Sequence, residues 1–215
     1  APRIAYRETI KGRSDVQGKH KKQSGGHGQY GDVKIRFSPG EGDGLTFTQS
    51  VVGGSVPKNY FPAIEKGLLE AMQKGVLAGY PVVGLAADLY DGSYHDVDSN
   101  ELSFKMAASL AYKAGLPLAK PVLLEPIGEL KVTIPDSVVG AVMGDINSKR
   151  RGTVLGSNPA EGKPGYTTID AEVPKATMVE YTIDLRAMTQ GKGSYSFYFV
   201  RYDEVPGSEA QKIIA

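Results

Sequence analysis

Pro117-Leu118-Ala119-Lys120-Pro121-Val122-Leu123-Leu124-Glu125-Pro126-Ile127-Gly128-Glu129-Leu130-Lys131-Val132-Thr133-Ile134 separates two patterns, and where it divides the chain decides the fold. Pro117 and Pro121 interrupt whatever precedes them, because proline cannot donate to a helix or to a central strand. The residues beyond Pro121 can be parsed on their own. Residues 122–134 read as a strand, 137–149 as a helix, 153–155 as a short strand and 166–173 as another. Residues 177–189 then read as a helix and 194–202 as a strand, with Tyr195, Phe197 and Phe199 on one face.

Upstream of the divide, residues 4–10 and 32–37 alternate, and 45–52 are rich in β-formers. From Pro57, the residues Tyr60, Phe61, Ile64, Leu68, Leu69 and Met72 recur at helical spacing as far as Gly75. A strand over 82–90 comes next. Asp98 with Glu101 reads as a capping box for a helix carrying Leu102, Met106, Ser109, Leu110 and Lys113, which Gly115 and Pro117 end. The first half is therefore βββαβα and the second βαββαβ. The latter is the split, ferredoxin-like order, with both helices on one face of an antiparallel sheet. The expected class is α+β in two domains, 1–121 and 122–205, with 206–215 as a tail or short helix.

A chain of 215 residues with 40% hydrophobic and 23% charged residues has the apolar mass for two small cores. Its net charge of +1 would argue against nucleic-acid binding if the charge were evenly spread. It is not. Residues 1–36 carry nine bases against three acids, and 37–104 carry three bases against nine acids. The absence of cysteine excludes disulfides, thiolate metal sites and thiol catalysis, and makes the cytoplasm the default expectation. No stretch reads as a membrane span or as a signal-peptide core. The chain opens at once on a strand pattern, without Met, and is expected to be a piece of something longer. A monomer is expected.

The densest glycine cluster, Gly25, Gly26, Gly28 and Gly31, formally contains G-x-G-x-x-G. A dinucleotide site needs a strand before that motif and a helix after it, whereas here a basic run precedes it and a strand comes after. A flexible hairpin tip is the plain reading. The sharper one adds Lys19, His20, Lys21, Lys22, His27, Gln29 and Tyr30 as bases, an amide and a ring for an RNA-contacting loop. The second cluster runs from Asp91 to Ser99. It fails as a calcium loop, because Glu101 and Ala107 stand where Gly and Glu are needed, and it fails as a catalytic dyad for want of a nucleophile. Asp98 suits helix capping, which leaves Tyr94, His95 and Asp96 as loop-tip residues without a structural task. Lys149-Arg150-Arg151 is either a solvated helix end or a contact for RNA phosphates. No Walker A motif and no convincing metal set occur, so no catalytic residue and no cofactor is assigned to the chain.

These residues resemble the C-terminal part of bacterial elongation factor G. The resemblance is carried by residues 5–10, the run Gln23 to Gly31, residues 52–58, 79–83 and 91–99, Pro121 to Pro126, Gly144 to Ser148 and Asp184 to Gly191. It spans nearly the whole chain and implies the family's domains IV and V. The first is a ribosomal-protein-type βββαβα domain with a left-handed βαβ crossover; the second is ferredoxin-like. It further implies part of a translational GTPase that moves transfer RNA and messenger RNA through the ribosome. Gly25, Gly26, Gly28, Gln29 and Tyr30, with His27 where the family more often has Arg, match one tip loop. Tyr94, His95, Asp96, Val97 and Asp98 match the other, whose His is expected to reach the codon–anticodon helix in the decoding region. Lys149, Arg150 and Arg151 would contact large-subunit RNA near the GTPase-associated region, by analogy only. GTP and magnesium would belong to a GTPase domain outside these residues. Residues 157–166 and 175–183 depart from the commonest family sequence and leave a divergent paralogue open. The rivals are a ribosomal protection factor or another ribosome-bound translational GTPase, and a stand-alone ferredoxin-like RNA-binding or regulatory protein.

Overall fold

The computed structural model describes residues 3–215, the Ser24 side chain excepted. Residues 7–123 and 205–215 form one compact unit, and residues 3–6 and 124–204 another.

The first unit begins with β1 (Arg7–Ile10), β2 (Ser14–Ser24), β3 (His27–Pro39) and β4 (Leu45–Gln49). It continues with α1 (Phe61–Ala71), β5 (Leu85–Ser93) and α2 (Glu101–Gly115). Its four-stranded sheet has the order β2-β3-β5-β4. β2 and β5 pair antiparallel with β3, and β4 runs parallel to β5, with α1 as the crossover between them. The sheet plus helices is thus βββαβα, but its first strand is not the expected 4–10. β1 lies outside this sheet. In it the buried Glu8 carboxylate accepts the backbone N–H groups of Leu77, Ala78 and Tyr80 at 2.8–3.0 Å. The strand that takes its place, β2, lies in the basic run. Its inward positions are Val16, Gly18 and His20, so it carries almost none of the apolar alternation that marks a strand.

Gly18 explains why such a strand is there. A Cβ on it would stand 2.1 Å from the Ala107 carbonyl oxygen and 2.9 Å from the Ala111 side chain, so β2 and α2 touch backbone to backbone. The buried face of α2 is Ser103, Phe104, Ala107, Ala108, Ala111, Tyr112 and Gly115. The stripe expected from spacing is the opposite face: Leu102, Met106 and Leu110 are all exposed. Nor does Asp98 cap this helix. Asn100 does, its Oδ1 accepting the Ser103 N–H at 2.8 Å.

The second unit matches the sequence reading closely. It comprises β6 (Pro121–Pro135), α3 (Val139–Asn147), β7 (Thr153–Pro159), β8 (Tyr166–Pro174), α4 (Tyr181–Thr189) and β9 (Ser194–Glu204). The strands run β9-β6-β8-β7, every neighbour antiparallel, which is the ferredoxin-like sheet. Leu130, Val132, Ile134, Ile169, Ala171 and Val173 meet Val142, Ile146, Tyr181 and Leu185 from the helices in its core. On β9, Phe197 packs against that core while Phe199 is exposed. α5 (Gly207–Ile214) closes the chain as a short helix and groups with the first unit.

Gly18→Val should lower the stability of the 215-residue chain by about 1–3 kcal/mol, since the overlap is with backbone and cannot be relieved by a rotamer. Gly140→Ala, at a helix position where a new Cβ meets nothing, should raise it by up to about 1 kcal/mol. Urea unfolding of both variants against the parent chain tests the pair.

Candidate nucleic-acid interface

β2 and β3 turn through Gly25 and Gly26, with φ of 60° and 94°. Positive φ at both central residues of a two-residue connection is the type I′ geometry that suits the twist of a hairpin and that glycine adopts without strain. Ser24 pairs with His27 across it, and side chains added at either glycine would meet nothing within 4 Å. The glycine cluster is thus a bare, ordered end of a long hairpin.

β5 stops at Ser93, opposite Asp32. Five residues of β3 therefore project beyond their inner neighbour, by about 16 Å at strand rise, and their backbone groups on that side need other partners. The loop after β5 supplies them. The Tyr30 N–H donates to the Asp98 carbonyl at 3.1 Å, and the Ser99 hydroxyl donates to the Tyr30 carbonyl at 2.8 Å. Ser99 Oγ also accepts the His95 N–H at 2.9 Å, and the Ser99 N–H donates to the His95 carbonyl at 3.1 Å. From below, the Tyr60 hydroxyl donates to the Ser99 carbonyl at 3.2 Å. The Asp98 carboxylate lies over Gly28, where a Cβ would come within 2.6 Å of it. The two loops singled out in the sequence are therefore one tip.

Within the tip the side chains divide by task. Tyr30 is only 6% exposed. Its ring lies parallel to the His95 imidazole, centroids 3.8 Å apart at 6°, with Lys19 Nζ 5.6 Å from its centroid. Such ring pairs contribute about 0.5–1.5 kcal/mol beyond area burial. The Tyr30 ring is thus already occupied and joins the loops, where the sequence suggested a platform for a base. Gln29 is partly engaged too, its Oε1 accepting from His20 Nε2 at 2.7 Å. Tyr94, His95, Asp96 and Val97 are exposed, Val97 at 91%. With Asp98 they line a shallow, open concavity of about 600 Å³ made by this one loop. His27, Lys21 and Lys22 add exposed bases on the hairpin.

The basic run of the second unit is put to a different use. Arg150 is 2% exposed. It donates through Nε to Asp145 at 3.2 Å, to the Thr177 carbonyl at 2.6 Å and to Asp184, and its guanidinium stacks over Tyr181. Burial works against its charge, but the hydrogen bonds it donates to Asp184 and Asp145 outweigh that and raise its pKa. Arg151 forks the buried Glu125 at 2.9 and 3.0 Å. Only Lys149 stays largely in solvent, 3.0 Å from Asp184. The phosphate contact considered for all three thus fails for Arg150, because the chain folds the guanidinium into its own interior. Sequence could have hinted at this through Asp145, five residues away, but not through Asp184.

Among the described residues no group of His, Asp or Glu is arranged to hold a metal ion, and no helix is long and apolar enough to cross a membrane. A βββαβα unit whose two loops join in one tip, followed by a ferredoxin-like unit, is a two-domain module of the translation-factor class. The model of the family described as elongation factor G, domain IV, matches residues 2–120, and that of the elongation factor G C-terminus matches residues 122–213. A crystal structure from Thermus thermophilus is 48% identical, with a TM-score of 0.87 over 99% of this chain; the chain spans 31% of the length of that one. The chain belongs to the elongation factor G family, as its domain IV and C-terminal domain.

Removing Arg150 should strand Asp145 and Asp184: Arg150→Ala is expected to cost the second unit about 3–5 kcal/mol in urea unfolding. Hydrogen bonds donated by Lys149 and then by Arg150 hold the Asp184 carboxyl below its ordinary value of 3.8. A depressed carboxylate stabilises above its unfolded pKa and loses that contribution as pH falls through the folded value. Unfolding midpoints should therefore drop below about pH 4, and Asp184→Asn should flatten the dependence.

Proposed function

We propose that this chain is the part of a translation elongation factor that enters the decoding region of the small ribosomal subunit and promotes movement of transfer RNA and messenger RNA. The joining of residues 25–30 and 94–99 into one tip carries the reading, because it presents His95, Asp96 and Val97 together at the end of a basic hairpin. The codon–anticodon helix is A-form, and its shallow minor groove offers 2′-hydroxyls and base edges to such an edge. Lys21 and Lys22 are suited to backbone phosphates.

The work is mechanical. A tip that contacts the moved transfer RNA better than the unmoved one shifts the population toward the moved state by that difference in contact energy. The second domain would lie against large-subunit RNA near the GTPase-associated region, with Lys149 the member of its basic run placed to contribute. GTP and magnesium would be held by a GTPase domain of the parent protein. A cytoplasmic protein acting as a monomer on ribosomes and translating messenger RNA is the consequence of this reading.

His95→Ala in the full-length factor tests it. Losing one hydrogen bond to a strongly polar RNA group, about 1.5–3 kcal/mol, should slow single-round translocation by roughly tenfold or more while leaving ribosome-stimulated GTP hydrolysis intact. An unchanged translocation rate would sink the tip's assigned role.

A further inference from the structure

We propose that Tyr30 is the positioning residue of the tip: a hydrogen-bond relay fixes its ring, and the ring fixes the orientation of the His95 imidazole before any RNA arrives. The proposal rests on the reading of the tip as an RNA-contacting edge and adds the device that aims it.

The relay starts on the sheet. Gln17 Nε2 donates to Asp32 Oδ1 at 2.7 Å, and the Ser93 hydroxyl donates to Asp32 Oδ2 at 2.6 Å. With the Ser93 proton committed to Asp32, the Tyr30 hydroxyl donates to Ser93 Oγ at 2.6 Å. Asp32 and Tyr30 are buried, so the carboxylate and the phenol are the members of the relay held away from water, while Gln17 braces Asp32 from the exposed side. Residues from β2, β3 and β5 thus converge on one phenol, and its ring carries His95 at 3.8 Å in a parallel stack.

His95 is held at one further point. Its backbone N–H donates to Ser99 Oγ, while its Nδ1 faces Asp98 Oδ2 across 3.9 Å, too far for a hydrogen bond. An imidazole on an exposed loop would otherwise lose its rotational freedom on binding. One stacked beforehand does not, and the gain appears in the bound state. A plain packing role for Tyr30 would need only its volume. The relay and the near-coplanar stack specify its angle as well.

The test has two arms. In the 215-residue chain, which has three histidines, the His95 ring protons should be displaced upfield by the Tyr30 ring current, lose that displacement in Tyr30→Leu, and lose part of it in Tyr30→Phe, which keeps the ring but not the hydroxyl that the relay holds. Ser93→Ala, which cuts the relay and leaves the ring, should reduce the displacement, and it serves where the Leu variant fails to fold. In the full-length factor, Tyr30→Leu should slow translocation as much as His95→Ala, and the double variant should be no slower than either, since both remove one device. Tyr30→Phe, like Ser93→Ala, should fall between the parent and Tyr30→Leu. An undisplaced His95 signal in the parent chain, a displacement untouched by Ser93→Ala, or fully additive losses would each overturn the proposal. A displaced signal together with a normal translocation rate for His95→Ala would instead overturn the RNA reading on which it rests.

Discussion

Helix α2 lies so close to the β2–β3 hairpin that one added carbon at Gly18 would stand 2.1 Å from a backbone oxygen, and one at Gly31 would stand 2.5 Å from another. Both contacts fall on the same helix, at Ala107 and Ser103, and both strands are pressed against it where their side chains have been reduced to nothing. Glycine in a strand interior weakens the strand by itself, so the helix contact must return more than that loss. The apolar face it uses is built of Ala107, Ala108 and Ala111 around Phe104 and Tyr112. This one approach holds a strand that has almost no hydrophobic pattern of its own. It also sets the depth from which the loop before α2 departs.

The tip is a consequence of that depth. α2 begins at Asn100, and the loop between Ser93 and Asn100 has to cross the flank of β3 where β5 has ended. The unpaired N–H and carbonyl of Tyr30 are there to be met, and Asp98 and Ser99 meet them. Accounting for backbone hydrogen bonds, more than any side-chain preference, brings a basic hairpin and an acidic loop into one edge. Neither segment alone would present it. The second unit shows the contrasting rule for charge: its most basic run is spent mostly inside, where Asp145, Asp184 and Glu125 give each guanidinium a fixed acceptor geometry.

How much of this is legible in the sequence depends on whether the signal lies in one side chain or between several. The second unit reads almost whole, because β6, β8 and the two helices each carry their own periodicity; their bounds differ from expectation by a few residues, where 3-10 turns at 136–138 and 175–178 precede the helices. β2 is hidden because its inward row is Val16, Gly18 and His20, small or polar at every position but one. The pattern points to the wrong face of α2 for the same reason: leucine and methionine outweigh alanine in any hydrophobic pattern, yet only alanine permits the approach observed. The residues of both loops stand out, since glycines and loop-tip polar residues announce themselves. That they form one edge, and that Tyr30 turns inward while Val97 turns out, is a property of strand length and register. The interior use of Arg150 depends on Asp184, thirty-four residues away on another helix. No local spacing encodes it.

Clamping the hairpin to α2 at two bare glycines has a mechanical side. Strands of 11 and 13 residues extend roughly 35–40 Å, and a free ribbon of that length bends and twists readily. Backed by a helix as far as Gly31, only its last few residues remain cantilevered, and those are propped by the second loop. Bending compliance falls steeply as the unsupported span shortens. A push applied at Val97 or Gly26 is then passed into the sheet as displacement instead of being absorbed as flexure, and the same two glycines that let the strand exist also decide how rigidly its end can press.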